Sequence, residues 1–72
     1  MVNSQIQQII DNIEERIQGC NILRWILEAK VTGSPINHSF YYSHGYDERE
    51  IRIGLDLIEI YLILKKQIDK AI

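Results

Sequence analysis

Residues 47–72 read DEREIRIGLDLIEIYLILKKQIDKAI. Wound at about 100° per residue, this stretch gathers Arg52, Asp56, Glu59, Lys66, Gln67 and Lys70 on one sector. Ile51, Ile53, Leu55, Leu57, Ile58, Ile60, Tyr61, Leu62, Leu64 and Ile68 fill most of the rest. Three residues break the pattern: Ile63 falls inside the polar sector, and Lys65 and Asp69 enter the apolar one. The apolar arc exceeds half the circumference, whereas a single neighbouring helix covers about 100° of such a surface. The pattern predicts a long helix that needs more than one partner.

Local signals agree on where this helix starts. Asp47 suits an N-cap, Glu50 completes a D-x-x-E capping box, and Tyr46 and Ile51 hold the hydrophobic-staple positions. Glu48 and Glu50 lie in the positive first turn, and Lys65, Lys66 and Lys70 near the negative end.

The first third is also helical in period. Asn3 and Ser4 are N-cap types, and Ser4 with Gln7 has S-x-x-Q spacing. Apolar residues follow at 6, 9, 10, 13, 17 and 20, a stripe about 100° wide and a short a/d seam. The stripe changes at Gly19-Cys20-Asn21. Beyond it Ile22, Leu23, Trp25, Ile26 and Leu27 surround the axis, and Arg24 stands where the stripe would continue. Gly19 and Asn21 are compatible with two shorter helices. The return of Leu27 and Val31 to the stripe, and a mid-helix glycine cost of only about 1 kcal/mol, favour one helix running to about Lys30.

Gly33 suits a C-cap, and Pro35 steers Ser34 out of the helical region. Ile36, His38, Phe40 and Tyr42 then alternate with more polar neighbours, which is a strand period. Ile51 to Leu57 alternates too, so an α-β-β-α chain with a hairpin of 36–42 against 51–57 is the alternative. The helix-start signals at 47–51 and the failure of alternation beyond Leu57 weigh against it.

The expected architecture is therefore all-α. One domain, residues 1–72, forms a helical hairpin: helices near 4–30 and 47–70 joined by a long aromatic-rich connection near 31–46. A chain of 72 residues buries only about 60% of its unfolded surface and holds a marginal core alone. Its single cysteine, Cys20, rules out an intrachain disulfide. Pairing of two hairpins into a four-helix bundle is the expected remedy, with Ile51, Leu55, Ile58, Leu62 and Tyr61 at the subunit interface.

Charge narrows the partners. The net charge is −2 with no basic run, so nucleic acid is not the expected partner. Arg49, Arg52, Lys65 and Lys66 brought together in a dimer keep a nucleic-acid-binding regulator as the alternative. The opening MVNSQIQQII lacks the pattern of a secretory leader. Ile60 to Leu64, the longest strongly apolar stretch, falls far short of the ~20 residues that span a bilayer. A cytoplasmic location without membrane contact is expected.

Candidate chemistry is sparse. His38, His44, Asp47, Glu50 and Cys20 are metal-capable, but the spacing shows no set of three or four converging ligands. Cys20 reads as a small hydrophobe on a helix seam. No phosphate loop, nucleophile elbow or HExxH motif occurs, and Asp11, Glu14 and Glu15 fit a solvated helix face. No enzyme activity, cofactor or metal is expected. The aromatic residues are the most specific feature: Trp25, Phe40, Tyr41, Tyr42, His44 and Tyr46 are candidates for binding a partner, since such rings offer apolar area with a polar tip. Phe40 and one or two tyrosines also suit a cap on the helical core. The function class expected is a small protein–protein interaction, regulatory or assembly module acting as a homodimer.

Overall fold

The computed structural model describes residues 2–70 and contains four helices: α1 (Val2–Gln18), α2 (Asn21–Thr32), α3 (His38–Ser43) and α4 (Glu48–Lys70). The all-helical class holds, and no strand occurs among the described residues. Both segments of the alternative hairpin, 36–42 and 51–57, are largely or wholly helical instead.

The expected first helix is divided. Cys20 adopts an extended conformation (φ −136°, ψ 116°) and heads α2. Arg24, the residue that interrupted the stripe, bridges the break: its guanidinium donates to the Gln18 carbonyl at the end of α1 and to Asn21 Oδ1. The buried set shifts from Ile10, Ile13 and Ile17 on α1 to Ile22, Leu23 and Ile26 on α2. A straight helix could not turn both sets toward α4. At its start α1 runs from Val2, so Ser4 and Gln7 lie inside it, and the Gln7 amide donates to Asp11 (2.8 Å).

The connection is not strand-like. Asn37 caps α3, its side chain accepting from the Phe40 N–H (3.1 Å). The two glycines that bracket the segment have positive φ, Gly33 at 74° and Gly45 at 90°, where a side chain would be strained. Gly33 ends α2 as expected. The box at the start of α4 also forms: Glu50 N–H donates to Asp47 Oδ1 (2.8 Å), and Asp47 N–H to Glu50 Oε1 (3.1 Å).

α4 is the common partner of the other helices. α2 runs alongside it in the same direction, with Leu23 and Ile26 against Gly54 and Lys30 beside Glu59 (3.4 Å). α1 runs the opposite way, with Arg16 near Ile53 and Leu57 and Glu14 near Tyr61 and Lys65. The core consists of Ile10, Ile13, Ile17, Ile22, Leu23, Ile26, Tyr41, Ile51, Ile58 and Tyr61. Leu55 and Leu62 pack against it half-buried. Of the five residues expected at a subunit interface, Ile51, Ile58 and Tyr61 are thus core within one chain, and Leu55 and Leu62 lie at its edge. The physical reason is the break at residues 19–20, which provides two covering helices where the hairpin provided one.

At Gly54 the side chains of α2 pack directly onto the backbone of α4. A Cβ placed there would lie 2.8 Å from Ile26 Cδ1 and 3.5 Å from Leu23 Cδ2, and Ile26 has no free surface to retreat into. Gly54→Val is expected to lower unfolding free energy by about 1–3 kcal/mol through overpacking, measured by urea denaturation; unchanged stability would show that the crossing is loose.

Tyr61 clasps α1 to α4. Its hydroxyl donates to Glu14 Oε2 (2.7 Å), and Lys65 lies 3.8 Å from the same oxygen. Burial, reinforced by the Glu14 carboxylate, pushes the phenol up to about 12. A pKa raised on folding stabilises the fold fully below the unfolded value of about 10 and loses that contribution as pH rises toward the folded value. Tyr61→Phe is therefore expected to cost about 1 kcal/mol at neutral pH. Denaturation curves of wild type and variant are expected to converge between about pH 10 and 12.

Candidate functional site

Two surfaces gather the unusual residues. The first surrounds Trp25, which is half-buried on α2. Tyr41 stacks on it (5.8 Å, 15°), while Phe40, His44 and Tyr46 meet it edge-on at 4.9, 5.1 and 5.9 Å. These separations suit the ring quadrupoles. α3 makes the cluster possible, because one helical turn places Phe40, Tyr41 and His44 toward α2. His44 is held by Nδ1–H donating to the Phe40 carbonyl (2.9 Å), and its ring lies 4.4 Å from that of Phe40.

Of the six aromatic candidates, the structure brings Trp25, Phe40, Tyr41, His44 and Tyr46 together. Tyr42 points elsewhere and pairs with His38 (6.2 Å). Tyr41 is only 3% exposed, and burial raises its pKa; it is a core plug. Phe40 and Tyr42 remain exposed. An open hollow beside the cluster is lined by Trp25, Glu28, Asn37, Phe40 and Tyr41 among others, a mixture of apolar and polar side chains.

The second surface is the outer side of α4. α1 and α2 cover the arc carrying Ile51, Gly54, Ile58 and Tyr61. They leave Ile53 57% exposed, Ile60 50% and Ile63 57%. Leu57 and Leu64 are half-buried between them. Positions 53, 57, 60 and 64 repeat with the 4-3-4 spacing of a coiled-coil seam. A second hollow, lined by Arg16, Cys20, Tyr46, Ile53 and Leu57, opens at the N-terminal end of this stripe. Ile9, 47% exposed, sits two turns before Arg16 on the same side of α1. Ile51, Ile58 and Tyr61, expected at a subunit interface, lie instead on the packed side of α4, and the spacing at 53, 57, 60 and 64 is the sequence signal of the exposed stripe.

Two of the four cations expected for nucleic acid have acidic neighbours within the chain. Arg52 shares a hollow with Glu48, Asp56 and Glu59, and Lys65 is paired with Glu14. Among the described residues no three His, Cys, Asp or Glu side chains are grouped to hold a metal, and no helix is long and apolar enough to cross a membrane.

The two tyrosines side by side in α3 are expected to separate cleanly. Tyr41→Ala is expected to cost about 3–5 kcal/mol, as for other buried aromatics, whereas Tyr42→Ala stays within about 0.5 kcal/mol; urea titrations of both variants check this. No protein-family model matches the chain, and no curated protein or solved structure matches it, so the site is read from its own geometry.

Proposed function

We propose that this protein is a small interaction module, of the regulatory or assembly kind, that acts as a homodimer through the outer side of α4. The observation that carries the reading is the stripe of exposed Ile53, Ile60 and Ile63, with half-buried Leu57 and Leu64 among them, on a helix whose other side is already packed. A contiguous apolar strip of this kind is costly in water and marks a docking surface. Pairing through it supplies the burial that a chain of 72 residues lacks. The aromatic cluster lies off the stripe, on α2 and α3. It leaves the exposed Phe40 and the open Trp25 hollow free to meet a further protein.

Two substitutions within one turn of α4 separate interface from core. Ile60→Asp is expected to yield a folded monomer, since Ile60 is half exposed. Ile58→Asp is expected to unfold the chain, because Ile58 has no exposed surface and a buried unpaired charge is severely costly. Sedimentation with far-UV circular dichroism reads both; a wild-type monomer at about 100 µM would overturn the reading.

A further inference from the structure

Ile63 is the residue that does not belong where it stands. It lies within the polar sector of α4 and is more than half exposed. Along that sector its neighbours are Asp56 and Glu59 on the N-terminal side and Lys66 on the C-terminal side, with Lys70 one further turn along the sequence. Glu59 precedes Ile63 by four residues and Lys66 follows by three, so each is one turn away. From Asp56 onward the order is acid, acid, isoleucine, base, glutamine, base, with Arg52 one turn before it. Reversing the helix end for end about Ile63 brings the acidic end of this sector over its basic end, with Glu59 over Gln67 and within one residue of Lys66.

From this arrangement, and resting on the dimer reading above, we infer that the partner is a second copy whose α4 runs antiparallel, with the twofold axis beside Ile63. A twofold interface must be self-complementary, and this sector is. On the axis Ile63 meets its own copy. Ile60 and Leu64 flank it on one side of the seam, and on the other Glu59 lies within one residue's rise of Lys66 of the second copy. The two helix dipoles then oppose. A parallel pairing would set acid over acid and base over base along the whole sector. An axis four residues nearer the N-terminus would lay Glu59 on its own copy and Arg52 near Lys66. Glu59 already has an in-chain neighbour in Lys30, but both side chains remain partly open to solvent (57% and 35%). Glu59 can therefore serve a second cation.

The test uses the full chain with Cys20→Ser, which removes the native thiol and places a favoured capping residue at the head of α2. In that background Ile63→Cys is expected to form a disulfide-linked dimer under a glutathione redox buffer, and Ile53→Cys is not. The axis holds the two copies of position 53 roughly 30 Å apart at 1.5 Å rise per residue, far beyond the reach of a disulfide. Separately, Glu59→Lys is expected to weaken the dimer about tenfold, and Glu59→Lys with Lys66→Glu to restore it. Lys30→Ala, which removes only the in-chain neighbour, leaves dimerisation unchanged. Self-linking at both 53 and 63 would establish a parallel pair and overturn the inference. So would linking at neither, a swap that fails to restore, or a dimer lost with Lys30→Ala. If Ile60→Asp still dissociates the dimer in those cases, the homodimer reading survives alone. A monomeric wild type removes both.

Discussion

The fold answers one constraint: the apolar arc of α4 is wider than any single helix can cover. Everything else follows from how that arc is divided. α1 takes one strip of it with Ile10, Ile13 and Ile17, and α2 takes the next with Leu23 and Ile26. The division needs two helices at different angles, and the extended Cys20 provides the joint. What the two helices leave over is the outer stripe from Ile53 to Leu64. The proposed activity is thus a remainder of the packing problem rather than a feature added to it.

The aromatic cluster solves a different problem. α2 ends far from the start of α4, and the chain must return along the outside of the bundle. A bare loop would leave Trp25 in water. α3 instead carries Tyr41 into the core and sets Phe40 and His44 on the edge of the indole. The returning segment becomes a lid with its own small hydrophobic centre. Its outward residues remain available for contact, because the anchoring is done by their neighbours.

Much of this was legible in the residues. Helical period placed α4, and the D-x-x-E box located its start because both halves of that box act locally. Gly33 ended α2 for an equally local reason. The break at residues 19–20 was harder to read. Leu27 and Val31 return to the α1 stripe by coincidence of phase, while Val31 stays largely exposed. Arg24 in the stripe was the better guide, since its side chain spans the joint. The alternation from Ile36 to Tyr42 misled because a six-residue helix is too short to display its own period, and the Asn37 cap outweighs propensity there. The choice of Ile51, Ile58 and Tyr61 for the interface failed with the hairpin itself: with one covering helix they would have been left open.

Gly54 carries a consequence beyond the crossing it permits. Ile26 Cδ1 occupies the space a methyl on residue 54 would need, and both positions are sealed from solvent. The two therefore share a single allotment of volume. A carbon gained on α4 has to be surrendered on α2, so the pair drifts through mutation as one site, and neither helix can be regrafted onto another scaffold without its counterpart.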